Sequence, residues 1–222
     1  MTLLFDQYLA MASGKAELGF AWDEWRIHED YADSETGFED RLELLSDAAN
    51  LALTIALGEW IVAGLRSYDD PDRIIAQYVQ SAWAAFSDRF RPTYFETDDE
   101  DWRGPWRGLL NMTLIVVNDA VFCRDEDPDV SDRANQLLFY CQKLFSDLPA
   151  FDGWLRECLD RLESDFPYRD GDPPMIDLPA SPVIPREAFG PGTVRPADPR
   201  AMVDAFLDRI ALSNPFLSGE DL

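Results

Sequence analysis

Residues 48–65 read AANLALTIALGEWIVAGL, and this stretch decides the fold. Its apolar side chains fall on every side of a helix rather than on one stripe, which is typical of a helix at the centre of a bundle. A membrane span usually has about 20 residues without an ionisable group. This stretch is shorter, contains Asn50 and Glu59, and has no flanking cluster of Lys and Arg. We therefore predict a buried central helix and no membrane segment.

Helical periodicity extends from this stretch over most of the chain. The pattern predicts helices over residues 2–12, 16–31, 38–66, 71–90, 105–123, 131–147, 150–166 and 200–212. Asp70 before Pro71 and Asp198 before Pro199 have the pattern of a helix N-cap followed by proline in the first turn. The run LLNMTLIVV is also strand-like in composition, but its length and a start at Pro105 favour a helix. The predicted fold is all-α, a single multi-helix bundle of about six to eight helices.

Composition changes after residue 166. Nine of the fifteen prolines lie between residues 167 and 199, which excludes a long helix or a central strand there. We expect an extended arm, either wrapped on the bundle or free as a spacer. The last helix has one apolar face that needs a surface to pack on; we expect its own bundle, with a partner or a second copy in a homodimer as the alternative. The predicted domains are a helical bundle over 1–166, a Pro-rich arm over 167–199, and a C-terminal helix and tail over 200–222.

The charge of the chain is strongly one-sided. Asp and Glu outnumber Lys and Arg by 43 to 19 in 222 residues, a formal net charge of −24. With 46% apolar residues, 7 Trp, 14 Phe and 7 Tyr, the chain has enough material for a core and does not have the composition of a disordered acidic segment. Such an excess usually serves solubility, the choice of partner or a saline setting. Nucleic-acid binding is disfavoured, because phosphate contacts need clustered Lys and Arg.

Motifs for catalysis or cofactor binding are missing from the sequence. His28 is the only histidine and lies in a charged stretch, and no phosphate-binding loop, dinucleotide fingerprint or zinc-protease motif occurs. Cys123, Cys141 and Cys158 are widely spaced and odd in number, so we interpret them as small core residues in a reducing compartment. Together with an N-terminus that lacks a secretory pattern, this predicts a cytoplasmic protein without a cofactor or an enzymatic activity.

Carboxylates alone offer one route to catalysis. Glu39, Glu43 and Asp47 are spaced by four residues and would share one face of a helix. Glu59 and Asp119 lie inside the two most apolar helices, where a carboxylate needs an arginine, hydrogen-bond donors or a metal. The alternative function is therefore a helical Mg²⁺-dependent hydrolase. Its candidate groups are Glu43, Asp47, Glu59 and Asp119, with Asn50 and Asn118 beside them.

Acidic residues cluster in three segments; aromatic residues lie within the first and border the second. Residues 23–47 hold ten acids and two Arg, residues 96–101 five acids in six, and residues 125–132 five acids in eight. Aromatic anchors inside an acidic rim are expected of an interface for a basic partner. The candidate partner-binding residues are Trp22, Asp23, Glu24, Trp25, Glu29, Asp30, Asp98, Asp99, Glu100, Asp101, Trp102, Asp125, Glu126 and Asp127.

The function that we predict from these features is the binding and neutralisation of a basic protein partner. A bacterial immunity protein that blocks a toxin with a cationic active cleft fits the charge, the size and the lack of catalytic motifs. Besides the hydrolase, a second alternative is an acidic structural protein of a saline interior, since lysine occurs only at Lys15 and Lys143.

Overall fold

The computed structural model describes Phe5, Ile27, Trp102 and residues 35–66, 73–98, 104–123, 130–170, 181–190 and 197–219. Within these residues the chain forms seven α-helices, three short 3₁₀ helices and one pair of short strands. The α-helices are α1 (Glu39–Glu43), α2 (Asp47–Gly64), α3 (Ile74–Ser81), α4 (Pro105–Phe122), α5 (Val130–Leu144), α6 (Pro149–Asp165) and α7 (Pro199–Ile210). The 3₁₀ helices are Ala82–Phe86, Arg186–Phe189 and Ala211–Ser213, and the strands are β1 (Phe90–Pro92) and β2 (Leu217–Gly219). The predicted all-α bundle is confirmed.

Helix α2 lies at the centre of the bundle, as its all-round apolar sequence predicts. Every residue from Ala48 to Ala63 is buried, and the helix packs against α3, α4 and α5. Gly64 leaves room for the Phe145 ring just after α5, because a Cβ atom there would lie 2.8 Å from that ring. None of the described helices combines the length and the apolar character that crossing a membrane requires.

The continuous helix predicted over 38–66 is wrong, because the chain breaks at residues 44–46. Ser46 has extended backbone angles, and its Oγ accepts a hydrogen bond from Ala49 N at 3.3 Å, so it begins α2 as an N-cap. The backbone at the break pairs with a distant segment: Ser46 N donates to Phe166 O at 3.0 Å, and Tyr168 N donates to Leu44 O at 2.8 Å. These contacts replace the hydrogen bonds that a continuous helix would make.

The helix predicted over 71–90 is shorter in the structure. Helix α3 begins after Arg73, whose φ of +51° is left-handed, and it continues as the 3₁₀ helix Ala82–Phe86. Ser87 then turns extended, and its Oγ accepts hydrogen bonds from Arg89 N and Phe90 N, both at 3.1 Å. Strand β1 follows and pairs antiparallel with β2, a pairing that the sequence analysis did not predict. Asp70 and Pro71 lie outside the described residues.

Helices α4 to α7 confirm the predicted helices near them within a few residues. Pro105 and Pro149 stand in the first turns of α4 and α6. Asp198 caps α7 by accepting a hydrogen bond from Ala201 N at 3.0 Å, with Pro199 at the first helical position, as its sequence predicts. The buried face of α7 packs against the 3₁₀ helix Ala82–Phe86. The predicted helices over 2–12 and 16–31 fall outside the described residues, apart from Phe5 and Ile27.

Part of the Pro-rich arm lies on the bundle. In residues 181–190, Ile184 and Phe189 are buried, and Trp154 Nε1 donates a hydrogen bond to Phe189 O at 2.8 Å. The short 3₁₀ helix Arg186–Phe189 places Arg186 inside the protein. The division of the chain into three domains stays a prediction.

Candidate functional site

Glu59 is a fully buried carboxylate in the middle of α2. Arg186 holds it with two hydrogen bonds, from Nε to Oε1 at 2.6 Å and from an Nη to Oε2 at 2.5 Å. Trp83 Nε1 donates a third, to Oε1, at 2.8 Å. The guanidinium of Arg186 in turn lies 4.7 Å from the centre of the Phe206 ring. A charge removed from water needs this kind of compensation, and Glu59 therefore joins α2 to the arm and to α7.

Asp119 does not share this buried environment. Its side chain is 29% exposed, and Arg133 Nε lies 3.9 Å from its Oδ2. The other proposed metal ligands are also dispersed. Glu43 ends α1 and is exposed, whereas Asp47 begins α2 beyond the break. The prediction that Glu39, Glu43 and Asp47 share one helix face is therefore wrong. Among the residues that the structure describes, no group of three His, Cys, Asp or Glu side chains could hold a metal ion.

The two asparagines considered for such a site serve the packing of the bundle. Asn50 Nδ2 donates to Leu42 O at 3.0 Å, across the break between α1 and α2. Asn118 accepts a hydrogen bond from the Tyr78 hydroxyl and donates one to Phe95 O at 2.6 Å. Burial raises the pKa of Tyr78, so its hydroxyl stays a proton donor to Asn118. Both amides thus connect neighbouring elements of the core.

Of the candidate partner-binding residues, the structure describes Asp98 and Trp102. Trp22, Asp23, Glu24, Trp25, Glu29, Asp30, Asp99, Glu100, Asp101, Asp125, Glu126 and Asp127 lie outside the described residues, so their predicted role stays a prediction. Asp98 is exposed, and Trp102 is partly buried against the core, with the Arg107 guanidinium 5.9 Å from its ring.

The loop that leads to Asp98 is fastened along α4. Phe95 O accepts a hydrogen bond from Asn118 near the end of α4, and Thr97 Oγ1 donates one to Asn111, which lies earlier in the same helix. Tyr94, on this loop, is 51% exposed; its ring edge packs against Phe122 with 5.4 Å between the ring centres. The Tyr94 hydroxyl donates to Glu96, and this hydrogen bond is the main reason that its pKa rises to about 12.

Besides Tyr94, two further exposed apolar side chains lie close together in a place that the sequence analysis did not predict. Leu44 is 60% exposed and Tyr168 is 54% exposed, and they lie directly opposite each other across the bridge between Leu45 and Pro167. The signal in the sequence was the order Leu44-Leu45-Ser46-Asp47, in which Ser46 can cap a new helix and release Leu44 from the old one. We call Leu44 and Tyr168 the Leu44–Tyr168 pair.

The other acidic side chains that the structure describes are exposed or partly buried. In the part of the chain that the structure describes, Glu59 is the only buried Asp or Glu. Glu39, at the first position of α1, accepts hydrogen bonds from Thr36 N at 2.6 Å and Gly37 N at 3.2 Å. Partial burial opposes its ionisation, but these hydrogen bonds outweigh that effect and lower its pKa below the usual 4.5.

Two of the three cysteines lie in the core as predicted, and Cys123 does not. None of the three is in a disulfide, and Cys141 and Cys158 are buried. Burial raises the pKa of the Cys141 thiol well above its usual range and that of Cys158 to about 12. Cys123, just after α4, is partly exposed.

Comparisons with known proteins add no identification: no protein-family model, no curated protein and no solved structure matches this chain.

Proposed function

We propose that this chain binds a basic protein partner and neutralises it, most simply as an immunity protein that covers the cationic active cleft of a toxin. The supporting observation is the distribution of acidic residues. Among the described Asp and Glu residues only Glu59 is buried, and its carboxylate oxygens already accept hydrogen bonds from Arg186 and Trp83. The remaining described carboxylates face or border solvent, where they contribute to a negative field.

A field of one sign has a physical consequence for association. Charge of magnitude 24 on 222 residues opposes folding through self-repulsion, and it accelerates the encounter with a positive surface by roughly 10- to 1,000-fold. An acidic surface can occupy a cleft that normally receives phosphate groups, since carboxylates and phosphates both present negatively charged oxygens. The partner is therefore expected to be a nucleic-acid-cleaving or otherwise phosphate-binding protein.

The carboxylate-based hydrolase is less well supported. A metal at Glu59 would have to displace a guanidinium that holds both carboxylate oxygens, and Asp119 pairs with Arg133 instead. Mg²⁺ or Mn²⁺ is accordingly expected to leave the melting temperature unchanged, whereas a metal-dependent rise would favour the hydrolase.

The test is affinity capture from native lysate with the immobilised chain, at about 0.1 M and about 1 M salt, where the Debye length falls from about 10 Å to about 3 Å. We expect a retained protein with a basic isoelectric point, released at high salt, whose enzymatic activity is lost when the purified chain is added at equal molar amounts. The proposal fails if nothing basic is retained at low salt, or if the retained protein keeps its full activity in the saturated complex.

A further inference from the structure

We infer that the Leu44–Tyr168 pair is the anchor on which the basic partner docks; this inference rests on the proposed function. Leu44 follows α1 as its C-cap and Tyr168 follows α6, and the two are paired by Tyr168 N donating to Leu44 O at 2.8 Å. This hydrogen bond holds the two segments side by side, and both side chains are exposed, so we treat them as one apolar spot on the surface.

The two backbone segments that carry this spot are fixed to each other and to the core. Leu45, the residue between Leu44 and Ser46, points inward and is buried, and Ser46 N donates to Phe166 O on the opposite segment. Phe166 is itself packed against the core. An anchor that is already ordered before binding loses little conformational freedom when a partner covers it.

The other exposed large apolar side chains of the described residues lack this arrangement. Tyr94 packs its ring edge on Phe122 and donates its hydroxyl to Glu96, so its ring is already partly engaged. Leu212 is 97% exposed, on a short 3₁₀ helix. Neither is paired across a backbone bridge with a second exposed apolar side chain, as Leu44 is with Tyr168.

The surroundings of the pair determine which occupant fits. Residues 39–47 and 160–170, the segments that carry it, contain eight acidic residues and three arginines. Asp40, Glu43, Asp165 and Asp170 among them are exposed, whereas Arg41 is engaged by Asp160 at 2.8 Å and by Glu163. An apolar centre inside a negative rim complements an apolar side chain surrounded by Lys or Arg.

The same charge argues against other occupants. A second copy of this chain would bring an equally negative surface to the contact, and like charges placed together are unfavourable. Anionic lipid headgroups and nucleic-acid phosphates are repelled for the same reason. The occupant that fits this surface is a basic protein segment with one apolar side chain at its centre.

The experiment uses the full chain and two fluorescein-labelled peptides of equal charge. Both alternate lysine with glycine; one has a central tryptophan and the other an alanine in its place. Anisotropy titrations are made with the unmodified chain, with Leu44→Ser/Tyr168→Ser, and with the matched control Leu212→Ser/Tyr94→Ser. All four substituted side chains are exposed, so both double variants are expected to keep the melting temperature of the unmodified chain.

We expect the tryptophan peptide to bind the unmodified chain roughly tenfold more tightly than its alanine counterpart. Leu44→Ser/Tyr168→Ser should abolish that difference, and Leu212→Ser/Tyr94→Ser should retain it. Hydrogen exchange should slow around residues 43–46 and 166–170 when the tryptophan peptide is bound. If both peptides bind equally and in a salt-dependent way, or if the control variant loses as much, this docking site is wrong while the proposed function stands. If neither peptide binds at low salt, the proposed function itself fails.

Discussion

Replacement of Arg186 by Met should unfold the protein far more easily than replacement of any exposed arginine. Arg186→Met removes the two hydrogen bonds that Arg186 donates to Glu59 and takes its positive charge away from a buried carboxylate. At an effective dielectric constant of about 20, two unit charges about 4 Å apart attract by about 4 kcal/mol. Removing one partner of a buried pair typically costs about 3–5 kcal/mol.

The chain offers a closely matched control in Arg209. Its guanidinium also lies over the Phe206 ring, at 5.6 Å against 4.7 Å for Arg186, but its side chain is exposed and its contact with Glu187 measures 3.5 Å. An exposed ion pair contributes about 0–1 kcal/mol. Arg209→Met should therefore change the free energy of unfolding by less than about 1 kcal/mol.

Denaturant titration followed by tryptophan fluorescence measures these differences, with the slope of the transition checked for equality between variants. For a chain of this size, the loss in Arg186→Met corresponds to a melting temperature lower by about 6–20 °C. The double variant Glu59→Leu/Arg186→Met should recover part of the loss, since an apolar pair of similar volume often replaces a buried ion pair at little cost, while Trp83 Nε1 loses its acceptor. Equal losses in Arg186→Met and Arg209→Met, or a double variant as unstable as Arg186→Met, would refute this reasoning.

Three further predictions follow from other parts of the fold. Gly64→Ala should cost about 1–3 kcal/mol of stability in denaturant titrations, because its Cβ would overlap the neighbouring ring, whereas Gly153→Ala, whose Cβ meets nothing within 4 Å, should gain about 0.5–1 kcal/mol from helix propensity. A disulfide reagent at pH 8 should modify Cys123 well before Cys141, as followed by mass spectrometry; equal rates would contradict the buried environment and raised pKa of Cys141. Folding lowers the pKa of Glu39, so the stabilisation that its carboxylate gives is present above the unfolded pKa near 4.5 and is lost as the pH falls through the folded pKa. Glu39→Gln should therefore flatten the acid side of the curve of unfolding free energy against pH. An unchanged acid side would contradict the capping role.

Elements with local signals could be predicted from the sequence. The central helix α2 is apolar on all sides and therefore needed no knowledge of its neighbours. The start of α7 follows from Asp198 and Pro199 alone, because the cap and the missing N–H act within one turn. The requirement that Glu59 have a compensating partner also follows from its apolar surroundings, whether that partner is an arginine, other donors or a metal.

Features that depend on distant segments could not be predicted in this way. Ser46 gives a local signal for the break at Leu44, but the backbone hydrogen bonds to Phe166 and Tyr168 that stabilise the break have no such signal. The partner of Glu59 lies 127 residues away, in a Pro-rich stretch whose composition indicated only an arm. The exposed Leu44–Tyr168 pair results from the same long-range contact. It could therefore be recognised only in the folded structure, where the two segments lie together.

The pairing of Glu59 with Arg186 sets an order of events during protein synthesis. Glu59 leaves the ribosome 127 residues before its counter-ion. During that interval the most apolar helix of the nascent chain carries a carboxylate that cannot be dehydrated without a large penalty. The helix can therefore reach its final, water-free position only after the arm has emerged. Completion of the core therefore waits for the Pro-rich segment, which follows α1 to α6 in the chain.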